Sequence, residues 1–148
     1  MPTIIPSYVY SLFASVLVST IIVCACGLSI SNVRLQAEEQ QLSAVANYVA
    51  SESMQLLSNN TVDNLTVTVQ LDLPSSIGGQ RYWVQIANDS ATAWVEIGFG
   101  TITELQGQRS FVPTMVSASG TFVSGSGIAS LCSVYDGANW HLIIQGGN

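Results

Sequence analysis

The side chains that could perform acid–base or nucleophilic chemistry are few and scattered along the sequence. His141 is the only histidine, and no serine lies in a G-x-S-x-G motif, which in hydrolases exposes the nucleophile on a sharp turn. The Asp and Glu residues form no pair suited to general acid–base catalysis. We therefore predict no catalytic residue and no enzymatic activity, and we interpret His141, next to Trp140, as a strand residue.

The glycines and cysteines give no cofactor or metal signature. Gly98-Phe99-Gly100 and Gly125-Ser126-Gly127 lack the remaining spacing of a dinucleotide-binding or phosphate-binding loop, so turns or bulges are expected. Cys24 and Cys26 point to different faces of a helix, and Cys132 lies far away in a predicted strand. A metal pair at Cys24 and Cys26 is the alternative, but we favour a core role for all three cysteines and predict no metal and no cofactor.

Three asparagines match the N-x-Ser/Thr acceptor pattern for N-glycosylation, namely Asn59, Asn64 and Asn88. Asn59 and Asn88 fall in predicted loops, where a glycan has room, and Asn64 lies at a predicted strand start. The alternative for each is an ordinary turn asparagine.

Five aromatic residues invite two interpretations. They could form a ligand-binding platform, as in carbohydrate-binding β-sandwiches, or they could fill the core and contact neighbouring subunits. Because aromatic residues at strand positions usually pack, we favour the second interpretation. The residues are Tyr82, Trp83, Trp94, Phe99 and Trp140.

Charge excludes one class of partner. The 148 residues carry a formal net charge of -6, and the only cations besides the histidine are Arg34, Arg81 and Arg109. Nucleic acids and anionic lipid surfaces reward clustered basic side chains, so we predict no nucleic-acid binding.

The longest signal in the sequence is an uncharged apolar stretch, Ser7 to Ile30. A hydrocarbon core of ~30 Å needs ~20 apolar residues in a helix, so this stretch is long enough to span a membrane. Pro6 is well placed to start the helix after an extended lead-in, Met1 to Pro6. Because no Lys or Arg precedes Arg34 and the stretch exceeds a signal-peptide core, we expect it to be retained.

The helical pattern continues beyond the apolar stretch and ends at Ser58, Asn59 and Asn60. Apolar residues recur at helical spacing after the polar cluster at residues 38–41. The whole predicted helix is about 75 to 80 Å long, some 45 Å more than a bilayer core. Its apolar stripe must therefore be covered by the remainder of the chain and by neighbouring molecules.

After Thr61 the pattern changes to the alternation of half-buried strands. Six to eight short strands with regular turns predict an antiparallel sandwich or barrel. The expected fold is α+β, with a helix over residues 1–60 and an all-β domain over residues 61–148. The predicted strands are Leu65 to Leu71, Tyr82 to Ile86, Ala93 to Phe99, Thr101 to Leu105, Phe111 to Val116, Thr121 to Ser124, Ile128 to Tyr135 and Trp140 to Gln145.

This order of parts resembles archaeal type IV pilins and archaellins. The resemblance is carried by Ser7 to Ile30 running unbroken into the amphipathic stretch, and by the β-patterned remainder. Bacterial relatives carry a glutamate at the fifth mature position, whereas this chain has Ile5. No basic leader with its cleavage site lies within the chain.

The resemblance implies a filament whose core is built from residues 6–57 and whose outer sheath is residues 61–148. It also implies a membrane-inserted subunit before assembly, with a platform protein and an ATPase driving assembly. We therefore expect a homo-oligomeric structural filament subunit with roles in adhesion or motility. The helix residues expected to polymerise are Val9, Leu12, Phe13, Val16, Leu17, Ile21, Ile22, Val33, Leu42, Val45 and Val49.

Two other functions fit the same order of parts. A single-span anchored surface protein would use its β domain to bind sugars or another protein, and a minor pilin would cap or anchor a filament made of other subunits. The extra apolar stripe between Ile30 and Leu56 is the feature that we use to favour the filament.

Overall fold

The computed structural model describes residues 4–59, 66–89, 91–102, 107–112, 116–137 and 139–147, with side chains from Tyr8 onward. One long helix is followed by seven strands, which confirms the predicted α+β fold. The elements are α1 (Ile4–Asn59), β1 (Val67–Leu71), β2 (Tyr82–Asn88), β3 (Ala93–Phe99), β4 (Gln108–Val112), β5 (Ser117–Val123), β6 (Ile128–Tyr135) and β7 (Trp140–Gly147).

Helix α1 begins at Ile4, so the lead-in predicted as extended up to Pro6 is wrong for its last three residues. Pro6 lies in the first helical turn. The first four amide groups of a helix have no intrahelical acceptor, so the missing N–H of proline costs nothing there. The helix ends at Asn59, within the predicted Ser58–Asn60 stop.

The chain divides into two compact units within α1. We call Met1–Ala37 the helical unit and Glu38–Asn148 the sheet unit. The domain boundary expected after residue 60 coincides with the end of the helix, whereas the compact units divide 23 residues earlier. The compact unit is larger because residues 38–59 of the helix belong to the same core as the strands.

The seven strands form one sheet in the order β1-β6-β7-β5-β2-β3-β4. All neighbouring strands are antiparallel except β5 and β7, which run parallel with Ser117 opposite His141. No pairing between the described residues joins β1 to β4, so both remain edge strands. The expected second layer of strands is replaced by the last turns of α1.

The core of the sheet unit lies between those helical turns and one face of the sheet. Leu42, Ala46, Val49 and Leu56 recur at helical spacing and are buried. From the sheet, alternate residues of each strand enter the same cluster, such as Val84 of β2. Burial of each large apolar side chain stabilises the unit by roughly 1.5 to 3 kcal/mol.

Strand positions were predicted well where alternation is regular. β3 and β6 have the predicted bounds. The strand predicted over residues 101–105 is not formed at residues 101 and 102, and residues 103–105 lie outside the described part of the chain. β4 instead begins at Gln108, where Arg109 pairs with Glu96 of β3.

Two turns of the sheet unit are closed by short-range hydrogen bonds. Ile77 and Gln80 exchange backbone hydrogen bonds of 3.1 and 2.9 Å around Gly78 and Gly79. Both glycines have positive φ angles, 59° and 78°, as a tight two-residue turn requires. The β6–β7 turn is closed by a 2.8 Å hydrogen bond from the Asn139 amide to Asp136 Oδ1.

Candidate assembly surface

The helical unit presents apolar side chains to the outside along its described length. Exposed fractions run from 48% at Val9 to 77% at Tyr10. Eight of the residues predicted to polymerise lie in this unit, and all are exposed: Val9, Leu12, Phe13, Val16, Leu17, Ile21, Ile22 and Val33. Tyr8, Tyr10, Val18, Val23, Leu28, Ile30 and Leu35 are exposed as well. We call the exposed apolar side chains between Tyr8 and Leu35 the apolar surface.

In the part of the chain that the structure describes, α1 is the one helix with the length and composition to cross a membrane. Its most apolar window, within Tyr8–Asn59, has a mean hydropathy of 2.3 and no buried residue.

The hydroxyl groups within the apolar surface bond to the helix itself. Ser15 donates to the Leu12 carbonyl, and Ser19 and Thr20 donate to the carbonyls four residues earlier, each at 2.8 Å. Ser29 and Ser31 do the same at 3.0 and 3.1 Å. Such bonds satisfy a donor that would otherwise be costly in hydrocarbon.

Three of the residues predicted to polymerise lie in the sheet unit, and the structure corrects the assignment of two of them, Leu42 and Val49. Leu42 and Val49 are 6% and 0% exposed, and Val45 is partly buried against the same core. A side chain enclosed in its own domain has no surface to offer a neighbour. The apolar stripe from Leu42 to Leu56 is therefore covered within the chain.

Sequence reasoning missed this double use of the helix, because the available signal marks a close contact without identifying the contacting element. Ala46, Ala50 and Ser53 are small residues on the buried face, and small residues mark a close approach to another element. Ser53 Oγ donates to the Val49 carbonyl at 2.7 Å, so the buried hydroxyl group is hydrogen-bonded without a partner on the sheet.

The charged residues of α1 begin at Arg34, near the end of the apolar surface. Arg34 and Glu39 are exposed, whereas Glu38 is half-buried. The Glu38 carboxylate lies directly against Gly78 of the turn before β2, where it would overlap an added Cβ.

Two ion pairs occur between described residues, and both are in the sheet unit. Arg109 Nε lies 3.3 Å from Glu96 Oε2, and its guanidinium carbon lies 5.1 Å from the Trp94 ring centre. His141 Nε2 lies 2.8 Å from Asp136 Oδ2 across the β6–β7 turn, a contact that is an ion pair when the imidazole is protonated and a hydrogen bond when it is neutral.

The three glycosylation candidates differ in their surroundings. Asn59 is exposed at the end of α1, and Asn64 lies outside the described residues. Asn88 ends β2 and uses both ends of its amide: Oδ1 accepts from the Ala118 N–H at 3.0 Å, and Nδ2 donates to the Asp89 carbonyl at 3.1 Å. Asn88 therefore has a structural role, and the glycan remains a prediction at all three positions.

None of the five aromatic residues considered for a ligand platform is exposed. Tyr82 and Trp83 are buried, and Phe99, Trp94 and Trp140 are half-buried. Trp140 packs against Tyr135 with ring centres 4.9 Å apart and ring planes tilted by 42°.

Cysteine and histidine positions do not assemble a metal centre within the described residues, where no group of three or more His, Cys, Asp or Glu side chains converges. Cys24 and Cys26 are exposed in the helical unit, which corrects their expected core position. Cys132 is half-buried on the sheet, with Sγ accepting from Thr68 Oγ1 at 3.6 Å.

Tyr82 and Asp89, both in the sheet unit, have pKa values shifted from their ordinary range. Burial raises the pKa of Tyr82 to about 12, and its hydroxyl donates to the Pro74 carbonyl at 2.5 Å. Hydrogen bonds from the Ala91 and Thr92 amides lower the pKa of Asp89 in the β2–β3 turn.

Comparison with known protein families gives a match over most of the chain. A family model described as "Family of unknown function (DUF7266)" matches residues 9–135, which include most of α1 and the first six strands. No curated protein and no solved structure matches the chain.

Proposed function

We propose that this chain, which belongs to the DUF7266 family of unknown function, is a structural subunit of an extracellular helical filament. The subunit is inserted in the membrane before assembly, and it polymerises through the apolar surface of its helical unit. The sheet unit forms the exterior of the filament. The family match extends over both units, so helix and sheet together form the family's shared architecture.

The length of the apolar surface is the observation that carries this proposal. Exposed apolar side chains extend from Tyr8 to Leu35, about 42 Å of helix at ~1.5 Å per residue. A hydrocarbon core is ~30 Å thick. The apolar side chains on the remaining ~12 Å, among them Val33 and Leu35 beside Arg34, lie beyond the lipid tails, and parallel helices of identical subunits would cover them.

Small residues within the same segment support close helix packing. In lipid, apolar side chains gain little from contact with another helix, and association depends on small residues that let backbones approach. Ala14, Ser15, Ser19, Ala25 and Gly27 are of this kind. The architecture also resembles that of archaeal type IV pilins and archaellins, in which such helices form the filament core.

Polymerisation buries the apolar surface between subunits once the helix has left the bilayer. Each large apolar side chain that moves from water into a packed interface gains roughly 1.5 to 3 kcal/mol. A subunit extracted from the membrane is therefore stable only in contact with other subunits. We expect a platform protein and an ATPase, encoded elsewhere, to drive extraction.

A second candidate is favoured by one observation. Leu42 and Val49 are covered by the sheet of the same chain, so the later half of the helix needs no neighbouring molecule. An anchored surface protein, or a minor subunit of another filament, would use the helical unit only as a membrane span and adhere through the sheet unit.

The test compares packing variants with matched apolar controls in cells that produce the full chain. Replacement of Ser15 and Ser19 by Leu keeps the segment apolar and membrane-inserted but fills the small-residue face. We expect loss of filaments from sheared surface material, with the protein retained in the membrane fraction. The control makes the same Ser-to-Leu replacement at Ser51 and Ser58, which are exposed on α1 within the sheet unit, and should leave filaments intact. Absence of filaments from wild-type cells would overturn the filament and favour the anchored protein.

A further inference from the structure

Arg34 is the only Lys or Arg of α1. Its side chain is exposed and takes part in neither ion pair between the described residues. It lies between Val33 and Leu35, which are 64% and 59% exposed and end the apolar surface. When neighbouring helices cover those two residues, the guanidinium is drawn away from water and needs an anionic partner.

The other two arginines cannot take its place at this level of the helix. Arg109 is committed to Glu96 of its own sheet. Arg81 precedes β2 in the sheet unit and is exposed. Arg81 therefore provides a matched control cation on the same chain.

Three carboxylates lie on α1, and one of them is open to a neighbour. Glu38 is half-buried against Gly78, and Glu52 is half-buried in the sheet unit. Glu39 is exposed and has no hydrogen-bond or ion-pair partner among the described residues. It is the acidic group on the helix nearest to Arg34 in sequence that its own domain does not enclose.

Arg34 and Glu39 of one helix do not face each other. At ~100° per residue, five residues separate the two side chains by about 140° around the helix. Only residues three or four apart meet on a helix surface. The two charges consequently belong to different faces. Glu38 is four residues from Arg34, but its carboxylate lies against Gly78, so Glu39 of a neighbouring copy is the open carboxylate that we assign to Arg34.

We propose that Arg34 of one copy binds Glu39 of a neighbouring copy and thereby sets the register of the assembled helices. This inference rests on the proposed filament. Contact between two different faces is a heterologous interface, which repeats from copy to copy and produces an open helical assembly rather than a closed dimer. The five-residue offset shifts parallel neighbours by about 7.5 Å along the helix axis.

Charge reversal in the full-length chain tests the pair. Arg34→Glu and Glu39→Arg each place like charges together and should reduce filament yield by ~10-fold or more. The double variant Arg34→Glu with Glu39→Arg restores opposite charges, and its yield should return to within about threefold of wild type. Arg81→Glu is the control and should leave the yield unchanged.

Co-expression shows whether the contact joins different copies. A mixture of Arg34→Glu chains and Glu39→Arg chains offers complementary pairs only between the two kinds of chain, so filaments containing both are expected. Thermal unfolding of each variant in detergent should match wild type, since neither residue is buried.

Three results would overturn the inference, and one of them also removes its foundation. Single variants with wild-type filament yield would show that the pair is dispensable while the filament proposal stands. Defective singles without rescue, either in the double variant or in co-expression, would show two separate roles. A wild-type chain that forms no filaments would overturn the proposed function together with the pair.

Discussion

Ser110 Oγ donates a 2.9 Å hydrogen bond to Asn47 Oδ1, which joins edge strand β4 to helix α1 within the sheet unit. Asn47 lies beside Ala46 and two residues before Val49, both buried against the sheet. The hydrogen bond at the edge of the sheet and the buried apolar residues at its centre thus hold the same helical turns against the sheet. These turns are part of the domain core, and the first predictions follow from that.

Two fragments test whether the domain begins at residue 38, as the compact unit does, or after the helix at residue 61. Residues 38–148 contain the whole buried core, so this fragment should be soluble and unfold cooperatively without detergent. Residues 61–148 lack Leu42, Val49 and Leu56, and the exposed sheet face should aggregate. Circular dichroism and size-exclusion chromatography provide the comparison. Equal solubility and stability of both fragments would contradict the role of the helix in the core.

Replacement of Val49 by Ala should lower the free energy of unfolding of the sheet unit by about 2 kcal/mol, because it leaves a cavity at a fully buried position. Val16→Ala, at a residue 56% exposed in the helical unit, should leave it unchanged. All three tryptophans lie in the sheet unit, so tryptophan fluorescence during denaturant unfolding in detergent reports on that unit. A similar loss for both variants would argue against the helix–sheet core.

Gly120 should be the least replaceable glycine of the sheet. Its φ is +118°, and a Cβ would overlap the Ile144 carbonyl oxygen of the parallel neighbour β7. Gly120→Ala should cost about 3 kcal/mol or more through strain and steric overlap together. Gly125 has a φ of +80° with no atom near the added Cβ, so Gly125→Ala should cost only about 1 to 2 kcal/mol. Thermal unfolding of the two variants separates the cost of steric overlap at the added Cβ from the cost of backbone strain. Equal losses of stability would show that the neighbouring backbone moves away from the Cβ without cost.

Tyr82 should make the sheet unit sensitive to alkali. Its pKa rises from an ordinary 10.0 to about 12 on folding, so the folded state favours the neutral phenol. This contribution is fully present below pH 10 and is lost as the pH rises from 10 to 12. Tyr82→Phe removes the hydrogen bond to Pro74 and should cost about 1 kcal/mol at neutral pH. The difference between the two proteins should shrink above pH 10, as measured by denaturant unfolding at each pH; a constant difference up to pH 12 would be evidence against the raised pKa.

Asn88 should matter for stability whether or not it carries a glycan. Asn88→Ala leaves the Ala118 amide without its acceptor and should cost about 1 to 2 kcal/mol in protein made without glycosylation. Asn59→Ala, at the exposed end of α1, should be near neutral in the same measurement. Mass spectrometry of protein from the native cell surface then reports glycan occupancy at both positions separately. Unchanged stability of Asn88→Ala would remove its structural role.

Much of the fold follows from local pattern. Val67, Val69 and Leu71 alternate with polar residues, and this period of two identified β1 and its buried face. The regular turns predicted between strands are also present in the described part of the chain, and Gly78 and Gly79 adopt the positive φ angles that a tight turn requires. The apolar run beginning at Ser7 identified the helix.

The arrangement of those elements was not predictable in the same way. Alternation identifies which face of a strand is buried, but it does not identify the neighbouring strand, so the parallel pairing of β5 with β7 left no sequence signal. Likewise, Leu42 and Val49 have the same spacing whether a sheet or a second molecule covers them. Their assignment to the sheet depends on tertiary contacts between residues far apart in sequence.

The hydroxyls of Ser15, Ser19, Thr20, Ser29 and Ser31 point back to carbonyls of their own helix. In the proposed filament, lipid tails before assembly and neighbouring helices after it meet the same surface, and neither has to replace a hydrogen bond that the other supplied. Exchange between the two surroundings is then decided by how closely the contours fit. The segment can leave one environment for the other without any change in its internal chemistry.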